Sequence, residues 1–368
     1  MTTVGILGAG QLGRMLALAG VPLGRRFALY DPDPKAPAAS LGAFTCGSWD
    51  DGARLDALAA SCDAVTYEFE NVPVAVAERL AARVPVRPAP QALAVAQDRV
   101  SEKTLFGELG IETAPFSPVD GPADLARALD TIGLPAVLKT RRQGYDGKGQ
   151  RVLRERAEAE AALSALGGRD LILEGFVPFT RELSILSVRG VDGSTAFWPL
   201  VENVHREGIL RLSTSPAIAS DATARAAREL AGRVLTRLDY VGVLAIELFE
   251  HGGRLIANEM APRVHNSGHW TIEGAATSQF ENHVRAVIGW PLGSTEPRGF
   301  AAMANLVGSV PPAEDVLRLP GAHLHLYDKA ARPGRKLGHV TFVEPDREAL
   351  TGSLRALARI VAEPALPR

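Results

Sequence analysis

Leu138-Lys139-Thr140-Arg141-Arg142-Gln143-Gly144-Tyr145-Asp146-Gly147-Lys148-Gly149-Gln150 is the stretch on which the reading of this chain turns. The apolar run 136–139 predicts a strand, and a lysine at its end can set a point charge on phosphate oxygens. Gly144, Gly147 and Gly149 fall within six positions. A loop of that kind can fold main-chain amides over the same phosphates and stay mobile. It is not a Walker loop, which needs Gly-Lys-Ser/Thr at the start of a helix. A plain flexible hairpin with Lys148 in solvent would read the same. A nucleotide is favoured over it because an acidic pair lies downstream.

That pair is Glu247 and Glu259. Residues 243–249 and 255–258 read as neighbouring strands joined through His251-Gly252-Gly253. In each, a carboxylate interrupts buried residue types. Two carboxylates brought together on a strand pair repel unless a cation lies between them. Oxygen donors, with Asn258 adjacent and no Cys or His beside them, suit magnesium, with manganese an alternative. Edge-strand acids facing water remain the other reading. Between the loop and this pair, Glu174-Gly175-Phe176-Val177 ends a second strand, 171–174. Its main chain and ring could meet an adenine, with Glu182 at ribose hydroxyls.

Upstream, residues 4–7 form an apolar strand running into Gly8-Ala9-Gly10-Gln11-Leu12-Gly13 and a helix. Strands at 27–30 and 64–67 and a helix at 73–82 follow, a pace that predicts a parallel doubly wound sheet. Gly8-x-Gly10-x-x-Gly13 with Asp31 is also the dinucleotide fingerprint, so a nicotinamide-dependent oxidoreductase is a competing reading. Gln11 sits at the helix mouth as a substrate-side donor. A helix is expected from about 91 to 109. From 183 onward, Val-, Ile- and Leu-rich runs predict a larger, mainly antiparallel sheet with the Ala-rich helix 221–238 packed on it. The Pro- and Gly-rich tail from about 291 predicts short strands in a small closing module. His323 and His325 share one strand face, but no third metal ligand accompanies them.

Of the 368 residues, 46% are hydrophobic and 22% charged, and the net charge is −2, so no general positive field exists to hold nucleic acid. The two cysteines, Cys46 and Cys62, have neither metal nor disulfide spacing, which suits a reducing compartment. No signal segment or membrane-length apolar run is read, so a cytoplasmic location is expected.

Asn258-Glu259-Met260-Ala261-Pro262-Arg263-Val264-His265-Asn266-Ser267-Gly268-His269-Trp270 closely resembles the signature of the 5-(carboxyamino)imidazole ribonucleotide synthases, a family of ATP-grasp carboxylases. So do the blocks 10–15, 67–72, 97–99, 144–150 and 332–339, in the family's order. Ala9 and Val264 depart from the usual Gly and Pro without removing a polar group.

The resemblance implies an ATP-grasp fold. Residues 1–98 would form a Rossmann-like pre-ATP-grasp domain, 99–180 the small lid domain, 181–290 the large sheet domain and 291–368 the closing module. It implies that ATP, bicarbonate and aminoimidazole ribonucleotide are consumed, and that the protein is a homodimer. Arg99, Lys139, Gly144, Tyr145, Asp146, Gly147, Lys148, Gly149, Gln150, Glu174, Gly175, Phe176, Val177, Glu182, His205, Asn258 and Glu259 would hold ATP. Glu247 and Glu259 would hold magnesium. Gln11, Leu12, Glu68, Glu70, Tyr145, Asp146, Lys329 and Arg335 or Lys336 would lie at the ribonucleotide. Tyr145, Asp146, Lys148, Arg263, His265 and Asn266 would work at the reacting atoms. The amine proton could go to leaving phosphate, Asp146 or His265. A formate-using transformylase, a biotin carboxylase and a nucleotide-binding subunit without catalysis stay open, sharing the ATP site.

Overall fold

The computed structural model describes residues 2–144 and 147–361, so Tyr145 and Asp146 lie outside the described residues. The chain opens with a four-stranded parallel sheet in the order Ala43–Cys46, Arg26–Asp31, Thr3–Leu7, Ala64–Tyr67. Val4, Ile6, Leu29 and Val65 are almost wholly enclosed, as continuously apolar parallel strands must be when helices cover both faces. The strand Ala43–Cys46 and the helix Gly52–Ser61 had no clear sequence signal. The strand pairs at the edge and is only half buried, so its hydrophobic pattern is weak.

The single helix expected from 91 to 109 is two, Pro90–Ala96 and Arg99–Glu108. Asp98 breaks it. Its backbone is extended, and its carboxylate caps the second helix by accepting the Val100 and Ser101 N–H groups at 3.0 and 3.3 Å. Arg141 and Arg142 approach the same carboxylate at 2.8 and 3.3 Å. The helix start is thereby tied to the beginning of the glycine loop.

That loop joins two strands of a second, four-stranded antiparallel sheet, ordered Phe116–Val119, Leu171–Gly175, Ala136–Thr140, Gln150–Leu153. Lys139 and Gln150 are cross-strand partners at its base. Gly147 takes φ +72° and lies so close to the Glu207 carbonyl that a Cβ would sit 2.8 Å from it. Only glycine lets the loop rest there on the large sheet.

The third sheet has nine strands. Its path runs Arg254–Ala261, Gly242–His251, Arg181–Arg189, Val201–Arg206, Ile209–Ser215, Phe300–Val307, Lys336–Glu344, His323–Leu326, with Thr195–Phe197 paired to Arg181–Arg189. Helix Asp221–Arg237 buries the stripe Ala227, Leu230, Ala231 and Val234 and is capped by Ser220, which accepts the Thr223 N–H at 3.1 Å. The tail strands are longer than the sequence suggested and continue the same sheet. Ala301 in Phe300–Val307 is small for a packing reason. A Cβ on Gly274 would lie 2.7 Å from the Ala301 methyl, so the helix above leaves no room for a larger residue at 301.

Candidate active site

The first glycine loop is already filled. Glu68, just past the strand Ala64–Tyr67, accepts the Gly10 N–H at 2.9 Å and the Gly13 N–H at 3.1 Å. Burial pushes its pKa up, and those two N–H groups with Arg263 and Lys329 pull it part of the way back. Asp31 accepts the N–H groups of Ala9 and Asp33, each at 2.7 Å. The helix N-terminus that would hold a dinucleotide pyrophosphate therefore holds the chain's own carboxylate. The ribose acid is spent on the turn, and the oxidoreductase reading falls.

Beyond Glu68, the three sheets enclose one cleft of about 940 Å³. On its lid side, Lys139 Nζ lies 2.9 Å from Glu174 Oε2. Lys103 Nζ approaches the same oxygen at 3.4 Å and donates to the Asn258 carbonyl at 3.2 Å. Burial lowers the Lys139 pKa against the pull of Glu174, while burial of Glu174 is outweighed by Lys139 and Lys103, which hold it low. Glu174 Oε1 is buried without a hydrogen-bond partner among the described residues, an acceptor kept ready for a donor. Beside it the exposed Phe176 and the stacked pair Phe179 and Phe249, ring centroids 4.6 Å apart, make an apolar wall with Val177. Glu182 and His205 stand 2.8 Å apart as an ion pair, though not aligned as a hydrogen bond. Burial opposes charge on His205, but Glu182 and Glu247 outweigh it and raise its pKa.

Glu247 and Glu259 face each other as cross-strand partners. The register then slips, pairing Leu248 with Ala257, so Asn258 is an extra residue in a β-bulge. In a regular strand Asn258 and Glu259 would point to opposite faces, and the bulge lets both line the cleft. Burial and the facing Glu259 raise the Glu247 pKa. The surrounding protein disfavours charge on Glu259 too, but Arg99, bonded to it at 2.9 Å, with Lys139 and His265 holds it low. The Glu259 side chain is 40% exposed to the water of the cleft, so this pairing is partly screened. Two carboxylates with split affinities and a neighbouring amide oxygen are a donor set that fits a hard divalent ion.

His265 Nδ1 accepts the Ser267 N–H at 3.3 Å, which places the ring proton on Nε2, 3.5 Å from Glu247 Oε1. Burial, then Arg263 and Lys336, lower its pKa to about 3, so the ring is neutral. Asn266 exchanges amide hydrogen bonds with the buried Asn305 at 2.6 and 3.2 Å. Arg263 pairs with Glu70 and donates to the Val264 carbonyl at 2.9 Å. At the far end Lys329 donates to Gln11, and Leu12, Arg335 and Lys336 line the same wall. Gly144, Gly147, Lys148 and Gln150 reach the cleft from the loop. Gly149 lies beneath them, its carbonyl accepting the Thr140 N–H at 2.8 Å.

Comparison with known proteins gives this cleft its family. The family model of the ATP-grasp domain matches residues 104–280. Those of the ribonucleotide synthetase preATP-grasp domain and the phosphoribosylaminoimidazole carboxylase C-terminal domain match residues 1–97 and 301–352. The N5-carboxyaminoimidazole ribonucleotide synthase of Pseudomonas aeruginosa is 53% identical over 97% of this chain and 99% of its own. The chain belongs to the N5-carboxyaminoimidazole ribonucleotide synthase family. The crystal structure of the synthetase from Thermus thermophilus superposes with a TM-score of 0.95 at 57% identity, covering 99% of this chain and 100% of that one. The synthase of Aspergillus clavatus in complex with ADP and 5-aminoimidazole ribonucleotide gives a TM-score of 0.90 at 33% identity, with 98% and 99% covered. The fold is thus ATP-grasp with its preceding domain, as the resemblance implied.

Several residues of this synthase cleft escaped the sequence reading. Lys103 is 1% exposed and holds the Glu174 strand against the hairpin. Glu102 accepts the Met260 N–H at 2.6 Å, and burial together with Glu259 raises its pKa to about 8. Both lie on the helix that starts with Arg99, and Lys103 sits at the i+4 position on its cleft-facing side. That spacing was the available signal. His325 does face a carboxylate, but Glu273 takes its Nε2 at 2.7 Å while His323 stays exposed, so the two do not form a metal pair.

Proposed function

We propose that the chain carboxylates 5-aminoimidazole ribonucleotide to N5-carboxyaminoimidazole ribonucleotide with ATP and bicarbonate, releasing ADP and phosphate, in de novo purine biosynthesis. One observation carries the reading: a single cleft runs from the carboxylate pair Glu247 and Glu259, past Arg263, to the cations Lys329, Arg335 and Lys336. ATP lies along the first part, with its base at Glu174–Val177, its ribose near Glu182 and its phosphates between Lys139, Arg99 and the loop 144–150. The ribonucleotide phosphate lies among the second set of cations, its base toward Arg263 and Asn266.

Bicarbonate is a poor electrophile, so its oxygen first takes the γ-phosphoryl group to give carboxyphosphate. Magnesium held by Glu247 and Glu259 would neutralise charge on the transferring phosphate. Arg263, braced by Glu70, and Lys139 oppose the same charge from the walls. Gly144, Gly147 and Lys148 line the cleft, and a lid carried by this loop would exclude water that would destroy carboxyphosphate. Carbon dioxide released from it meets the ribonucleotide amine. His265 is ill suited to take the amine proton, because its Nδ1 lone pair is used by Ser267 and its Nε2 is protonated. That leaves the departing phosphate and Asp146, which lies outside the described residues, as the candidate bases, and the mechanism takes the phosphate.

ADP release measured with magnesium-ATP, and with bicarbonate and aminoimidazole ribonucleotide added singly and together, tests this reading. Release is expected only with both. Release that ignores the ribonucleotide would leave an ATP-grasp enzyme with a different acceptor. The reading also takes the enzyme as a cytoplasmic homodimer. Sedimentation velocity showing a single 39.0 kDa species would contradict the second part.

A further inference from the structure

Beside the carboxylate pair, the large sheet carries a row of small polar side chains that the mechanism above does not use. Ser184 is the cross-strand partner of Glu247 and so shares its face. Asn203 sits two residues past Val201, the other partner of Ser184, and pairs in turn with Ser213. Ser267 meets the row from the short helix Asn266–Gly268. All four are at most 5% exposed.

The row is bonded end to end. Ser213 Oγ donates to Asn203 Oδ1 at 2.7 Å, Asn203 Nδ2 to Ser184 Oγ at 3.0 Å, and Ser184 Oγ to Ser267 Oγ at 2.8 Å. Ser267 Oγ lies 2.9 Å from His265 Nδ1, the ring nitrogen that also accepts the Ser267 N–H.

The direction of these bonds is fixed from both ends. A hydroxyl has one hydrogen to give, and an amide side chain gives only from its nitrogen. Asn203 supplies Ser184, so the Ser184 hydrogen goes to Ser267 and the Ser267 hydrogen goes on to Nδ1. At the other end, a main-chain N–H can only donate, so Nδ1 must present its lone pair to Ser267. A proton on Nδ1 would face that N–H as donor against donor. It would also leave the Ser267 hydroxyl hydrogen buried with no acceptor. One such orphan alone favours the other tautomer roughly 5- to 150-fold. The His265 main chain is gripped as well: Gln279 Oε1 accepts its N–H at 2.9 Å, and Gln279 Nε2 donates to its carbonyl at 2.7 Å. The ring proton therefore stands on Nε2, 3.5 Å from Glu247 Oε1 and inside the cleft.

We propose that Asn203, Ser184 and Ser267 are positioning residues, a one-way hydrogen-bond chain that keeps His265 an N–H donor aimed into the cleft beside Glu247. A neutral imidazole nitrogen can serve as base, metal ligand or donor, and the chain leaves only the last at Nε2. A donor fixed in this way need not reorganise when negative charge develops beside it. Bonds in series polarise one another, so a break two links away is felt at the ring. On the carboxylase reading, the charge in question is on bicarbonate and the phosphoryl group it takes. The chain then acts on kcat and not on the affinity for ATP or ribonucleotide.

The position of the ring proton can be read without turnover. Nitrogen-15 labelling of histidine in the full-length enzyme separates protonated from bare ring nitrogens by NMR, and the signals lost in His265→Gln identify this ring among the eight histidines. The wild-type ring is expected to be protonated at Nε2. A proton on Nδ1 would overturn the chain. Ser184→Ala and Asn203→Leu each break one link with little change of volume. Each is expected to lower kcat roughly tenfold, part of the roughly 10²–10³ that a whole preorganised donor is worth, with both KM values within about twofold. In a Ser267→Ala background, where the chain is already cut beside the ring, neither should cost anything further. Losses that add in that background, as separate packing defects would, or a wild-type kcat in Ser184→Ala, would overturn the positioning role. Ser184→Ala, the gentler change, decides alone if Asn203→Leu does not fold. Wild-type ADP release that ignores the ribonucleotide would sink the carboxylase reading instead and leave the tautomer as it is.

Discussion

Glu259→Ala is expected to reduce ADP release by roughly 10³-fold or more while the protein stays folded. The effect is large because Glu259 does two jobs that no neighbour can take over. It supplies half of the cross-strand carboxylate pair, and it fixes the Arg99 guanidinium at 2.9 Å within the cleft. The fold should survive because the side chain is 40% exposed to the cleft and packs against no core cluster. Its removal also relieves the repulsion that raises Glu247. Glu259→Gln keeps the volume and loses only the charge, so it should be nearly as inactive. Circular dichroism melts within a few degrees of wild type, together with absent turnover, are the expected pair of results. Near-normal turnover in either variant would remove the metal role from this residue.

Why Glu259 was legible while its geometry was not has a physical explanation. Alternation around Glu247 and the His251-Gly252-Gly253 turn made the hairpin readable, because side-chain period and turn chemistry are local properties. The bulge at Asn258 was not readable. It depends on the Asn258 carbonyl being held by Lys103 and the Met260 amide by Glu102, on a helix about 155 residues earlier. The first glycine loop shows the opposite failure. Its letters fit a dinucleotide site, and only the arrival of Glu68, 55 to 58 residues on, shows the anion position to be taken. Asp98 likewise reads as one more polar residue in a helical stretch until Arg141 and Arg142 are brought onto it.

Lys329→Ala is expected to raise KM for the ribonucleotide roughly 30- to 100-fold and leave KM for ATP within about twofold, the loss of one charge-assisted hydrogen bond of ~2–3 kcal/mol. Lys329 sits at the Gln11 end of the cleft, bonded to Gln11, so its removal should not reach the apolar wall beside Glu174. Burial lowers its pKa to about 8, Glu68 resists that, and Arg335, Lys336 and Arg332 add to it. Crowded cations of this kind are stabilised when an anion arrives, so phosphate binding should draw a proton onto Lys329. The sign then follows from linkage: the free enzyme loses that proton as pH rises through about 8, and ribonucleotide affinity should fall above it, up to tenfold per pH unit. The same titration works on folding in the other sense. A depressed lysine favours the folded state at high pH and withdraws that contribution as pH falls toward 8, so weakened binding above pH 8 would not reflect unfolding. Lys329→Arg keeps its charge throughout this range and should flatten the alkaline rise in KM even where its fit is poorer. Equal increases in both KM values for the alanine variant, or an alkaline limb unchanged in the arginine variant, would move the ribonucleotide phosphate away from this lysine.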